Sequence, residues 1–161
     1  MIPEIKKILY ATDLSDNSRQ SLSWAMALAT KHNAKLLMLN VIEDVSSSPS
    51  VQIYFSEQEW NQLKKRIDSE AIDIMKERLN EFCEEVKAAI PGCTYVADEI
   101  LVRRGNPVEK IIASAEEHKC DVIVIGSLGA GGLTDAILGS TARRVLRRSK
   151  IPVFVVPITN K

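Results

Sequence analysis

Five short apolar runs recur along this chain of 161 residues, and a longer segment with helical periodicity follows each of the first four. Strands that are apolar on both faces fit a parallel sheet covered by helices on both sides. The predicted strands are residues 5–11, 36–41, 94–103, 121–125 and 151–156, and the main predicted helices are residues 16–32, 57–89, 108–118 and 140–148. The sequence therefore predicts an α/β fold: a five-stranded parallel, doubly wound sheet in a three-layer sandwich.

The length fits one domain over residues 1–161. Within it, the low-complexity patch Ser46-Ser-Ser-Pro-Ser50 predicts a flexible loop over about residues 43–56. A loop at this point is either a lid over a ligand or a plain connection.

The charge balance argues against a general nucleic-acid or membrane-surface binder, because such proteins need a positive field. Lys plus Arg number 21, Asp plus Glu also number 21, and the formal net charge is zero. A local basic face remains at Arg143-Arg144 and Arg147-Arg148. Basic residues in a last helical turn commonly only compensate the helix dipole, so a functional role for this face stays open.

Targeting signals and metal-ligand spacings are not found in the sequence. No run is apolar enough to span a bilayer, and the N-terminus lacks the apolar core of a signal peptide. Cys83, Cys93 and Cys120 have no metal-ligand spacing, and His32 and His118 lie in no ligand motif. We expect a cytoplasmic protein with reduced thiols and no structural metal.

A glycine-rich segment follows the fourth strand, and it is typical of a phosphate site. The apolar run Val122-Ile-Val-Ile125 leads into Gly126-Ser-Leu-Gly129, and Gly139-Ser140 then opens the last helix. Glycine lets main chain approach a ligand closely, and the free N–H groups of a helix start attract anions.

The expected topology brings this segment next to Thr12-Asp13, which follows the first strand. With an assumed strand order 3-2-1-4-5, the switch point at which ligands bind lies between strands one and four. There Asp13 can accept hydrogen bonds from a ribose or an adenine amine. Alternatively, Asp13 braces the turn before the first helix, Ser140 is only a helix cap, and Gly131-Gly132 is only a flexible loop.

Two common nucleotide motifs do not fit. A Walker loop requires Gly-Lys-Ser/Thr, and no lysine stands between Gly126 and Thr141. The dinucleotide fingerprint requires three closely spaced glycines after the first strand, where this chain has Thr12-Asp13. A P-loop ATPase and a Rossmann dehydrogenase are therefore disfavoured.

The spacing Gly126-x2-Gly129-x9-Gly139-Ser140 resembles that of the ATP-binding branch of the universal stress protein family. Thr12-Asp13, Val41, Val102-Arg-Arg-Gly-Asn-Pro107 and Ile151-Pro-Val-Phe-Val-Val156 extend the resemblance over about residues 5–156. One departure is Leu128, where many members of the family carry histidine.

The resemblance implies an adenine-nucleotide α-hydrolase-like fold that binds ATP, ADP or AMP, with Mg²⁺ or Mn²⁺ able to bridge the phosphates. It also implies a homodimer through the strand bounded by Ile151 and Val156. An apolar edge strand supports that interface independently, because pairing with a second copy would protect it. The implied contacts are Ala11, Thr12, Asp13 and Val41 for adenosine, Gly126, Ser127 and Gly129 for sugar and phosphate, and Gly139, Ser140, Thr141 and Ala142 for the phosphates.

The function that fits best is an ATP-binding stress-response regulatory protein that signals through nucleotide-dependent partner contacts. A slow ATPase is a second hypothesis, but the glycine segment offers no Lys, Arg or His to help at the γ-phosphate. A dimeric interaction module without ligand is a third. A flavin-binding electron carrier shares the general topology, and it would be yellow when purified.

Overall fold

The computed structural model describes residues 1–43, 55–93, 96–127 and 138–158, and nine helices and strands lie within these ranges. They are β1 (Lys7–Ala11), α1 (Ser18–His32), β2 (Lys35–Ile42), α2 (Glu57–Ala89), β3 (Glu99–Arg104), α3 (Pro107–Glu117), β4 (Val122–Gly126), α4 (Ser140–Arg148) and β5 (Val153–Val156). No helix in these ranges has the length and apolarity needed to cross a membrane. The sequence also predicts a short helical piece at residues 133–138. Most of that piece, and most of the expected loop of residues 43–56, lie outside the described residues.

The sheet is five-stranded and parallel, in the order β3-β2-β1-β4-β5, which confirms the predicted fold class and the assumed strand order. β1 is the central strand, with Tyr10 opposite Met38 of β2 and Val124 of β4. β2 lies on one side of β1 and β4 lies on the other. The connection after β1 runs to β2, whereas the connection after β4 runs to β5, so the two diverge at the carboxyl ends of β1 and β4.

Several elements are shorter at their starts than the apolar runs predict. β1 begins at Lys7 rather than residue 5, and the amides of Lys6 and Lys7 donate to Asp121 Oδ2 at 2.8 and 2.9 Å. β3 begins at Glu99 rather than residue 94, and the Leu36 amide donates to Asp98 Oδ2 at 2.7 Å. In both places a carboxylate accepts a bond from a backbone amide that a longer strand would use in the sheet. The periodicity of the sequence does not reveal such bonds.

The core has two halves, one on each face of the sheet. Ile8 and Tyr10 of β1 pack in the half that includes α1 and α2, while Leu9 and Ala11 pack in the half that includes α3 and α4. The alternation follows from the two-residue repeat of a strand. It accounts for the continuous apolar sequence of the central strands, since both of their faces are buried.

The apolar residues of α2 do not all lie on one side of the helix. Its 33 residues form an unbroken helix, which begins with a capping box between Ser56 and Glu59. Leu79 is fully buried, whereas Ile67 and Ile74 are 48% and 54% exposed. At about 100° per residue, Ile74 lies about 140° around the helix from Leu79, so the apolar residues of α2 lie on two faces.

The turn between β3 and α3 requires a glycine. Gly105 has φ of +137°, in a region that side-chain-bearing residues rarely adopt. Asn106 then caps α3 by accepting a bond from the Glu109 amide at 3.2 Å, and Pro107 occupies the first turn. This turn brings the start of α3 to the carboxyl end of the sheet.

Candidate functional site

A cavity of about 490 Å³ opens at the carboxyl ends of β1 and β4, where the strand order reverses. Its walls come from four places: the end of β1 and the start of α1, the end of β2, the start of α3, and the end of β4 together with the start of α4. The lining residues are Ala11, Thr12, Asp13, Ser15, Asn17, Ser18, Ser21, Leu39, Val41, Glu43, Pro107, Ile111, Ile125, Gly126, Ser127, Gly139, Ser140, Thr141 and Ala142.

The cavity brings together ten of the eleven residues that the sequence singled out. They are Ala11, Thr12, Asp13, Val41, Gly126, Ser127, Gly139, Ser140, Thr141 and Ala142. The eleventh, Gly129, lies outside the described residues. Segments more than 100 residues apart in the chain therefore form one concave surface.

The N-terminus of α4 faces this cavity and is suited to an anion. The first bond within the helix runs from the Arg143 amide to the Gly139 carbonyl at 3.0 Å, so the amides of residues 140–142 precede it. Gly139 supplies no side-chain cap, and the first turn contains no acidic residue. Unsatisfied helix N–H groups carry a partial positive charge, which stabilises a negative group placed there.

Ser127 holds the end of β4 against the chain that follows β5. Its amide donates to the Val156 carbonyl at 2.8 Å, and its Oγ accepts a bond from the Ile158 amide at 2.9 Å. Its carbonyl accepts a bond from the Gly139 amide at 2.6 Å, which joins both ends of the segment before α4. Ser127 thus has a structural role in addition to its place in the cavity wall, and the sequence did not reveal that role.

The turn after β1 is closed by two side chains. Thr12 Oγ1 accepts a bond from the Leu14 amide at 3.0 Å, and Asp13 Oδ1 accepts one from the Ser15 amide at 2.9 Å. Leu14 adopts a positive φ of 60° within this turn. The reading that Asp13 braces the turn is therefore correct. It is compatible with a ligand contact, because Asp13 is exposed and lines the cavity.

Asn40 supports this turn from β2, and the sequence reasoning missed it. Its Nδ2 donates to the Thr12 carbonyl at 2.9 Å, and the residue is 5% exposed. Its Oδ1 is buried and has no hydrogen-bond partner among the residues that the structure describes. An unsatisfied buried oxygen of this kind costs about 1–3 kcal/mol. A polar residue inside an apolar strand was the available signal.

The start of α1 forms a wall that was not predicted either. The Tyr10 hydroxyl donates to the Ser18 carbonyl at 2.7 Å and lies 3.1 Å from Ser21 Oγ. Burial raises the pKa of Tyr10, which keeps the hydroxyl neutral and able to donate. Ser15, Ser18 and Ser21 all line the cavity, and their three-residue spacing was readable in the sequence.

The charged side chains that line the described part of the cavity are both carboxylates, Asp13 and Glu43. A negatively charged ligand would thus meet main-chain amides at α4 rather than the side chains of Lys, Arg or His. Within the described ranges, no group of three or more His, Cys, Asp or Glu residues is placed to hold a metal ion.

Comparisons with known proteins agree with this architecture. The model of the universal stress protein family matches residues 4–157. Universal stress protein MJ0577 of Methanocaldococcus jannaschii is 27% identical over 157 residues, which cover 96% of each chain. Universal stress protein YxiE of Bacillus subtilis is 31% identical over 153 residues, which cover 93% of this chain and 97% of that protein.

Solved structures extend the likeness to three dimensions. The structure of MJ0577 has a TM-score of 0.69 and 28% identity, covering 99% of this chain and 100% of that one. A universal stress protein solved in complex with cAMP has a TM-score of 0.58 and 27% identity, covering 96% and 98%. The family model spans nearly the whole chain, and the sheet order and the cavity agree with it. This chain therefore belongs to the universal stress protein family.

Proposed function

We propose that this protein is an adenine-nucleotide-binding regulatory protein whose nucleotide state controls its contacts with a partner. The observation that carries the proposal is the cavity itself. One end has apolar walls and a carboxylate, and the other end has the uncapped N-terminus of α4. A ligand that fits both ends has a flat, partly apolar body with hydrogen-bond donors, joined to a phosphate.

In this proposal the base and ribose lie at the ends of β1 and β2, against Ala11, Asp13 and Val41. The main chain at Gly126 and Ser127 approaches the sugar and the first phosphate. We propose the same contact for Gly129, which lies outside the described residues. The phosphates lie at the start of α4, against the amides of residues 140–142, where the first turn offers no competing carboxylate.

Known relatives support an adenine ligand. One universal stress protein, 27% identical to this chain, was solved in complex with cAMP. ATP is the ligand that we propose here, with ADP and AMP as the alternatives that retain the same base and first phosphate.

Mg²⁺ or Mn²⁺ is proposed as an accompanying ion. The described residues do not offer a three-ligand protein site, so the phosphates would supply most of the ligands. The hydroxyl oxygens of Ser140 and Thr141, which line the cavity at the start of α4, could act as metal ligands beside the phosphates. The described lining has no cationic side chain. When bound, the ion would therefore supply the positive charge that neutralises the phosphates.

Binding rather than hydrolysis is what the described lining favours. Phosphoryl transfer requires a residue that positions water and a cationic group that stabilises the γ-phosphate. Asp13 could orient a water molecule, but the described lining has no Lys, Arg or His for the second task. We therefore do not propose an ATPase activity.

We also propose a homodimer through β5. This strand is at the edge of the sheet and pairs on one side with β4. Beside it, Trp24 of α1 is 54% exposed and packs on Phe154 with ring centroids 5.9 Å apart. An apolar edge strand next to an exposed tryptophan is a favourable place for a second copy.

The proposed ligand can be tested directly. Mass spectrometry of small molecules released from the purified protein identifies what is bound in the cell. Calorimetric titrations with ATP, ADP, AMP and cAMP, each with and without MgCl₂, then rank them, with GTP as the control for the base. We expect adenine nucleotides to bind and GTP to bind at least tenfold more weakly. Equal affinity for GTP would contradict the adenine assignment.

A further inference from the structure

Asn40 is the polar exception in a buried strand. Its neighbours along β2 are Leu37, Met38, Leu39 and Val41, and the first three of these are almost fully buried. On the same face of β2, Leu36 and Met38 pack in the half of the core shared with α1 and α2. An apolar side chain would satisfy this face without leaving a buried oxygen unpaired.

Within the described part of the chain, the Asn40 side chain makes one hydrogen bond, which crosses from β2 to the end of β1. The β1–β2 ladder ends with the Thr12 amide donating to the Leu39 carbonyl at 2.9 Å. The next carbonyl, that of Thr12, accepts from Asn40 Nδ2 at 2.9 Å. The side chain thus replaces the ladder bond that would follow if β1 continued.

That bond fixes the peptide group that carries Asp13. The Thr12 carbonyl belongs to the peptide group between Thr12 and Asp13, so its direction sets the direction in which Asp13 leaves the strand. The rest of the turn depends on the same two residues, through the bonds from the Leu14 and Ser15 amides. Leu14 has a positive φ, which a non-glycine residue adopts only when its surroundings hold it there.

We infer that Asn40 is a positioning residue for the nucleoside end of the cavity: it orients the Thr12–Asp13 peptide and thereby sets the affinity for adenosine. The inference rests on the proposed function, because it names how one end of the proposed nucleotide site is held. Asn40 is not among the residues that line the cavity, so it acts through Thr12 and Asp13 rather than by touching the ligand.

The Asn40 side-chain amide has a bonded Nδ2 and an unpaired Oδ1. Substitutions at this residue can therefore distinguish a positioning role from a purely structural one. Replacing Asn40 by leucine removes the unpaired Oδ1 while it leaves the Thr12 carbonyl without its partner. These two effects on stability oppose each other. The ligand is affected only through the changed orientation of the Thr12–Asp13 peptide. We therefore expect the binding free energy to change more than the free energy of unfolding.

The test is calorimetric titration of adenosine, AMP and ATP into the whole protein. The variants are Asn40→Leu, Asn40→Ala and the control Met38→Leu, which changes a buried side chain on the same face of β2 with little change in volume. Circular dichroism and thermal melting monitor the fold. Asn40→Ala cannot overpack the site, so it serves if the leucine variant fails to fold.

We expect both Asn40 variants to weaken binding of all three ligands by the same factor, about tenfold, because they share the nucleoside. Met38→Leu should bind like the unaltered protein. Unchanged affinities in the Asn40 variants would overturn the inference and leave the proposed function standing. A loss for ATP without a loss for adenosine would also overturn it, since the effect would then lie at the phosphates. If the unaltered protein binds none of the three ligands, the proposed function itself fails.

Discussion

Replacing Ser140 by proline would remove one amide from the start of α4 while leaving the helix intact. Ser140 is the first residue of the helix, and its amide precedes the first bond within the helix. Proline is well tolerated at this position, where the missing N–H has no helical partner. Gly139 has ψ of 151°, an extended conformation that a residue before proline prefers. Ser140 is exposed, so the ring has room.

The expected loss can be estimated from one hydrogen bond to a charged group. Such a bond contributes about 1.5–3 kcal/mol, which corresponds to about 10- to 150-fold in affinity. ATP, ADP and AMP should lose affinity by factors in this range if their phosphates contact this amide. Adenosine, which has no phosphate, should bind as before. The melting temperature should stay the same or rise slightly, since proline restricts the unfolded chain.

The assay is calorimetric titration of ATP and adenosine into Ser140→Pro and Ser140→Ala. Both variants lose the hydroxyl, but only proline loses the amide N–H, so the difference between them isolates the main-chain contribution. We expect Ser140→Ala to bind ATP within a few-fold of the unaltered protein. If Ser140→Pro binds ATP as tightly as Ser140→Ala does, the amide at the start of α4 does not hold phosphate, and the reasoning from the helix terminus is wrong.

Two further predictions concern the sheet edge and the thiols. The Pro152 carbonyl accepts a bond from the Ile123 amide in β4, and the Val156 carbonyl accepts one from the Ser127 amide just after β4. The amide of Val155 therefore points to the opposite edge, where a second copy can pair with it. Val155→Pro should therefore yield a folded monomer in light scattering, and Val155→Ile a dimer; a dimer in the proline variant would exclude pairing through β5. Burial raises the pKa of Cys120 to about 11, so at pH 8 we expect a thiol reagent to label the partly exposed Cys93 at least tenfold faster. Equal rates in the folded protein, measured by peptide mass spectrometry, would show that Cys120 is not protected as the structure indicates.

Local patterns in the sequence determined which segments form strands and helices. The unbroken apolar character of β1 and β4 shows that both faces of the sheet are covered, because an exposed face would carry alternating polar residues. The glycine spacing after β4 singled out Gly126 and Gly139, which both line the cavity, since glycine lets main chain approach a ligand closely. These properties belong to residues close together in the chain, and they can be read without the fold.

Contacts between distant segments were decided by the tertiary structure. The order β3-β2-β1-β4-β5 was an assumption until the strand pairs were seen, because periodicity does not say which strands are neighbours. The bond from Asn40 to Thr12 spans 28 residues, and the bond from Ile158 to Ser127 spans 31. The exposure of Ile67 and Ile74 likewise depends on where the sheet lies relative to α2. Sequence patterns report the chemistry of single segments, whereas the shape of the cavity depends on which segments the fold brings together.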